Sequence, residues 1–169
     1  TAGVYNNIGV AYLYKGDYEH AISYFQKALS VIIQVLGETH PTTAIYYNNL
    51  GGAYDGKNDY DTALAYYEKA LGINLKIHGE MHPATGQCYN NIGSIYLATG
   101  DYDRALVNLQ KSLNINITML GEDHPSVATD YNNIALTHAA LGDYVKAIFY
   151  TSKALALFKQ LELNQDIID

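Results

Sequence analysis

Two asparagines follow a tyrosine at residues 5–7, 47–49, 89–91 and 131–133, and successive copies always stand 42 residues apart. A carboxamide offers a pair of donors and an acceptor, so a row of them can hydrogen-bond the backbone of an extended peptide without selecting its side chains. That is recognition chemistry. A structural alternative stands beside it, in which the doublets bond between adjacent helices or cap the preceding linker. A second periodic set, His40, His82 and His124 beside Glu38, Glu80 and Glu122, invites a metal. Equivalent residues of stacked helix pairs lie roughly 10 Å apart, whereas zinc ligands must each come within about 2.0–2.1 Å of one ion. Linker packing or helix capping is therefore expected of the histidines, and neither metal nor cofactor. Cys88 has no companion His-Asp arrangement and no cysteine at the equivalent positions, so it reads as a small packed residue. No phosphate loop, nucleophile elbow or carboxylate pair is present, and no enzymatic activity is expected.

The elements that carry these residues repeat with them. Tyr5, Ile8, Gly9 and Tyr12 fall on one face of a helix from about Gly3 to Lys15. Gly16-Asp17 supplies a left-handed helix end and an N-cap acceptor, and the pair returns as Asn58-Asp59, Gly100-Asp101 and Gly142-Asp143. A second helix, several residues longer, then places Ala21, Ile22, Phe25, Ala28, Leu29 and Ile32 at helical spacing from Tyr18 to about Val35, and Gly37 ends it. The linker Glu38-Thr39-His40-Pro41 leads to the next first helix with proline in its first turn, and residues 79–83 and 121–125 repeat it. Gly9, Gly51, Gly93 and Ala135 share a small slot that is expected to face Ala21, Ala63, Ala105 and Ala147. Tyr12, Tyr54 and Tyr96, with Phe25, Tyr67 and Leu109, are expected to flank that small pair. His138 and Thr151 stand at the tyrosine and phenylalanine slots of the last copy, whose packing departs most from the others.

The chain has 169 residues, 49% of them hydrophobic and 16% charged, enough apolar side chain for one core-forming domain. Ten basic against seventeen acidic residues give a net charge of −7, which repels phosphate backbones and anionic lipid, so neither nucleic acid nor membrane is an expected partner. The single cysteine and the lack of any apolar run of about 18–20 residues fit a soluble, reducing, cytoplasmic setting. With no initiator Met, and Thr1 close to the first landmark, the chain reads as a segment of a longer protein. Its repeats divide approximately as 1–41, 42–83, 84–125 and 126–162 in a single domain, with a tail over 163–169.

These slots resemble the tetratricopeptide pattern of an aromatic, Leu-Gly and Tyr followed by Ala, Phe and Ala, whose ordinary period is about 34 residues. The aromatic slot is Tyr5, Tyr47, Tyr89 and Tyr131, and the later small slot is Ala28, Ala70, Ser112 and Ala154. The longer period, the Tyr-Asn-Asn motif and the Gly-Glu-x-His-Pro linker make the chain similar to the 42-residue subclass of kinesin light chains and many bacterial and protist proteins. The resemblance covers residues 3–160. It implies an all-α, right-handed superhelical solenoid of four helix-turn-helix repeats, with first helices lining a concave groove and second helices forming the convex back. It also implies a protein-binding role and no catalysis.

On that arrangement the groove is lined by Asn6, Asn7, Val10, Leu13 and Tyr14, then Asn48, Asn49, Gly52, Asp55 and Gly56. In the later copies these become Asn90, Asn91, Ser94, Leu97 and Ala98, and Asn132, Asn133, Leu136, Ala139 and Ala140. In related peptide-binding members the second asparagine holds the ligand backbone, a role the resemblance carries to Asn7, Asn49, Asn91 and Asn133; Asn6, Asn48, Asn90 and Asn132 follow with a weaker claim. Leu13, Tyr14, Ser94, Leu97 and Leu136 complete the expected peptide-binding set. No Lys or Arg stands in these slots, Lys15 and Lys57 sit at helix ends, and Asp55 and Asp130 add negative charge nearby, so a neutral or basic peptide is expected over an acidic one. Two alternatives are a scaffold whose near-identical copies stack end to end into a homo-oligomer, and a regulatory sensor arm of a larger signalling protein.

Overall fold

The computed structural model describes the backbone of residues 1–165 and the side chains of residues 1–162. Eight helices and no strand occur among the described residues: α1 Ala2–Tyr14, α2 Tyr18–Leu36, α3 Pro41–Gly56, α4 Tyr60–His78, α5 Pro83–Thr99, α6 Tyr102–Leu120, α7 Pro125–Ala140 and α8 Tyr144–Gln165. The expected tail at 163–169 thus begins inside α8, and residues 166–169 lie outside the described residues. The helices belong to two compact units, Thr1–Gly79 and Glu80–Asp169. In the first, α1 pairs with α2 and α3 with α4, while α2 packs on α3; in the second, α5 pairs with α6 and α7 with α8, while α6 packs on α7. This is an all-α repeat solenoid built from helical hairpins.

Local chemistry sets each hairpin. Gly16, Asn58, Gly100 and Gly142 hold φ of 76°, 61°, 82° and 79°, the left-handed turn that an Asn tolerates better than other side chains. The next residue is always Asp, and the Asp17, Asp59, Asp101 and Asp143 carboxylates accept from the backbone N–H of His20, Thr62, Arg104 and Lys146 at 3.1–3.3 Å. The second helices close at Gly37, Gly79 and Gly121, again at positive φ. Whereas α1 has 13 residues against 19 in α2, the proline-led α3, α5 and α7 have 16, 17 and 16. The expected length difference between first and second helices therefore narrows once a His-Pro linker starts the first helix.

Packing between the paired helices keeps the expected approach of the small slots, a Cβ on Gly93 standing 3.3 Å from the Ala105 carbonyl oxygen, but differs in where the bulky residues lie. A Cβ on Gly9 would stand 2.6 Å from the Phe25 ring, one on Gly51 2.6 Å from the Tyr67 ring, and one on Gly93 2.7 Å from Leu109 Cγ. The bulky residue lies over the glycine and does not flank it. Ala21, Ala63 and Ala105 are fully buried beside that contact. In the fourth copy the glycine is replaced by Ala135, which is buried, and the bulky residue by Thr151, which is exposed. The tyrosine slot is half-buried and stacks: Tyr12 on Tyr24 at 5.6 Å and Tyr54 on Tyr66 at 5.5 Å between centroids. His138 keeps this arrangement in the last copy, lying parallel to Tyr150 at 5.7 Å. Four lysines with the same 42-residue spacing, Lys27, Lys69, Lys111 and Lys153, place their ammonium groups over Tyr24, Tyr47, Tyr89 and Tyr131 at 4.9–5.2 Å.

Candidate functional site

The asparagines lie midway along the first helices, and the structure links them in pairs. In the first unit Asn49 Nδ2 donates to Asn6 Oδ1 at 2.8 Å. In the second, Asn133 Nδ2 donates to Asn90 Oδ1 at 3.3 Å and to Ser94 Oγ at 3.2 Å. The rule in both units is that the second asparagine of one hairpin bonds the first asparagine of the preceding one. Asn7 and Asn132, at the outer positions of the two pairs, are exposed, while Asn6, Asn48, Asn49, Asn90, Asn91 and Asn133 are half-buried. The doublets therefore join neighbouring hairpins, one of the two uses the sequence left open, and Asn7 and Asn132 leave their amides at the surface. Each such bond fixes the orientation of the two side chains it joins.

Tyr14 is 88% exposed and Leu136 51% exposed, so both offer apolar surface. Leu13 is half-buried, and Leu97 rests partly against a core cluster of Ala105, Leu109, Leu113, Val127 and Ile134. Two other expected groove residues are displaced. A Cβ on Gly56 would fall 2.3 Å from the Tyr18 ring, so that glycine is roofed by an aromatic and is no open groove position. Asp130, expected as negative charge near the groove, has 0% exposure. Its carboxylate accepts from Asn90 Nδ2 at 2.6 Å and Asn116 Nδ2 at 2.7 Å, and Ser112 also bonds it. Loss of hydration raises its pKa, and these three hydrogen bonds only partly oppose the rise. Burial likewise raises the pKa of Asp55.

The sequence pattern placed Ser112 only in the small packing slot and did not single out Asn116. Asn116 occupies a core slot held by Ile32 and Asn74 in earlier copies, and a polar residue at an apolar slot was the available signal. In the first unit, Tyr47 donates its hydroxyl to Glu38 at 2.8 Å, and burial together with that carboxylate pushes its pKa up to about 12.

The histidines have a definite use. His40, His82 and His124 each precede the helix proline, and their Nδ1 atoms accept from the N–H of Thr42, Ala84 and Ser126 at 3.1 Å. They are N-caps of α3, α5 and α7. Among the described residues, no group of three or more His, Cys, Asp or Glu stands together as a metal site. Cys88 is buried. None of the described helices is long and apolar enough to cross a membrane.

Comparison with known proteins places this geometry. The chain is similar to BtubC (BKLC) from P. vanneervenii, at 24% identity and a TM-score of 0.83, covering 95% of this chain and 64% of that one. It is similar to a kinesin-light-chain-like protein of Podosopora anserina with nearly identical TPR-like repeats, at 19% identity and a TM-score of 0.75, covering 95% of this chain and 76% of that one. A Rap protein complexed with Competence and Sporulation Factor shares the fold at 22% identity and a TM-score of 0.80, covering 92% of this chain and 42% of its own. The chain thus spans less than two thirds of the BtubC and Rap structures. No curated protein sequence matches it. The family model described as tetratricopeptide repeat matches residues 1–76, 59–118 and 89–160, and with the stacked hairpins and their shared slots this makes the chain a member of the tetratricopeptide repeat family.

Proposed function

We propose that the chain is a protein-interaction module whose first helices dock an extended segment of a partner protein, with the asparagine amides pairing to its backbone. The observation that carries this reading is the amide pairing itself. Asn49 is held by Asn6, and Asn133 by Asn90 and Ser94, on half-exposed helix faces, so the groups are oriented and still reachable. Tyr14 and Leu136 supply the apolar anchors that amides lack. Four amide contacts at a net ~0.5–1.5 kcal/mol each amount to roughly 2–6 kcal/mol, so the anchors must contribute for binding tighter than tens of micromolar. That a Rap protein of the same fold is complexed with a factor supports the general role.

Replacing Asn49 and Asn91 together with alanine is the direct test. Binding of a captured partner peptide is expected to weaken by roughly fivefold to 150-fold, on a net contribution of ~0.5–1.5 kcal/mol per amide. Helicity should be retained, with a stability loss on the order of 1 kcal/mol from the Asn49–Asn6 bond. Titration calorimetry showing unchanged affinity would refute the amide role.

A second reading, end-to-end association of copies, rests on a different observation. Ile148, Leu155 and Phe158 of α8 are 68%, 52% and 41% exposed, whereas their counterparts Ile22, Leu29 and Ile32 in α2 are buried in the hairpin stack. Val4 of α1 is 62% exposed, while Tyr46 at the equivalent position of α3 is buried. An α1 face laid on an α8 face would bring the apolar Val4 and Phe158 slots together as α6 and α7 bring together Asn116 and Asp130 at the equivalent slots. Light scattering over a concentration series should then show mass rising with concentration, and Phe158→Glu should abolish the rise; a constant monomer mass would remove this reading.

A further inference from the structure

In the second unit a cavity of about 570 Å³ opens between the N-terminal halves of α5 and α7 and the end of α6. Gln87, Asn91 and Thr129 are among its lining residues, and Asn90, Asn116 and Asp130 also line it. We infer that this cavity receives a lysine or arginine side chain of the docked segment, with Asp130 as its counter-charge. The inference rests on the groove reading above and specifies what the ligand must carry.

Charge is the first ground. Asp130 is completely buried, and its bonded partners, Asn90, Asn116 and Ser112, are all neutral. No Lys or Arg lines the cavity. Its one imidazole, His124, already uses Nδ1 to cap α7 through the Ser126 N–H. A buried carboxylate served by neutral donors is left with a large uncompensated desolvation cost, which an approaching ammonium or guanidinium group would offset.

The second ground is that the fold does not require an acid there. The equivalent slots hold Val4, Tyr46 and Cys88, and Tyr46 and Cys88 are buried without carrying charge. The third is the character of the walls. The capping histidines His82 and His124 satisfy first-turn amides of α5 and α7, which removes donors that would have favoured an anion. Carboxamides on the wall accept hydrogen bonds as readily as they donate them, so a cation can be solvated at the cavity mouth.

Selection of a random peptide display library on the whole chain tests this. Enriched peptides are expected to share one position occupied by Lys or Arg, and norleucine at that position should weaken binding about tenfold or more. With Asp130→Asn, checked for helicity and melting, the lysine and norleucine peptides should bind equally. Should that variant lose its fold, Asp130→Cys copies the residue of the preceding repeat and serves for the same comparison. Enriched peptides with no basic position, or a lysine preference that survives loss of the carboxylate, would overturn the inference and leave the groove reading standing. If the library yields no binders on the unaltered chain, the groove reading falls and takes this inference with it.

Discussion

Phe25→Ala should remove about 3–5 kcal/mol of stability from the first unit, read as a lower urea midpoint at unchanged pH. The ring is fully buried and lies against the bare backbone of Gly9, which has no side chain to move into the hole. Leu109→Ala, in the same slot over Gly93, should cost about 2–5 kcal/mol in the second unit. Thr151→Ala, at the equivalent but exposed position, should change stability by no more than about 0.5 kcal/mol. The glycine and the bulky residue of this slot also predict a compensation. Thr151→Phe over Ala135 should overpack at a cost of about 1–3 kcal/mol, and adding Ala135→Gly should recover part of it, limited by the ~1 kcal/mol that glycine costs inside a helix. Ala135→Gly destabilising the Thr151→Phe protein as much as it destabilises the parent would show that the two positions do not face each other.

Neutralising Asp130 should stabilise the protein at neutral pH and not at acid pH. Its folded-state pKa is raised by burial, so the folded form holds its proton to a higher pH than the unfolded chain does. Stability from this group is therefore fully present below the ordinary value of 3.8 and is lost as pH climbs from there through the raised folded value. Asp130→Asn removes that loss. The variant's advantage should be absent near pH 3 and grow as pH rises through the raised folded value. Asp55 shifts in the same direction, while Asp17, Asp101 and Asp143 are lowered by hydrogen bonds from His20, Arg104 and Lys146 and act in the opposite sense. Comparing the variant with its parent cancels those common contributions. An advantage that did not vary with pH would mean that Asp130 is not titrating in the folded state.

Much of the architecture could be read from residue types because it depends on local chemistry. A Gly-Asp or Asn-Asp pair ends one helix and caps the next wherever it occurs, and a His-Pro step opens a helix in the same way three times. The helical spacing of Ala21, Ile22, Phe25, Ala28, Leu29 and Ile32 marks the buried face of α2 for the same reason. Which member of a facing pair covers the other was not legible. Spacing places Gly9 and Phe25 on the right faces, but the ring's position over the glycine depends on the offset between two helices that a linear pattern does not encode.

The candidate site divides along the same line. Periodicity alone established that four asparagine doublets occupy equivalent positions on first helices, because a repeat of constant length brings the same residue to the same place in every hairpin. Tertiary packing decided what the doublets do there, joining Asn49 to Asn6 and Asn133 to Asn90, since a side chain's partner lies 43 residues away along the chain. It also decided that Asp130 is an interior carboxylate, bonded by Asn90 and Asn116. Asp130 stands two positions before the Asn132-Asn133 doublet, and two helical steps of about 100° each turn it to nearly the opposite side of α7 from Asn132. That angle is enough to carry it from the solvent face to the contact between α6 and α7, where Asn116 waits.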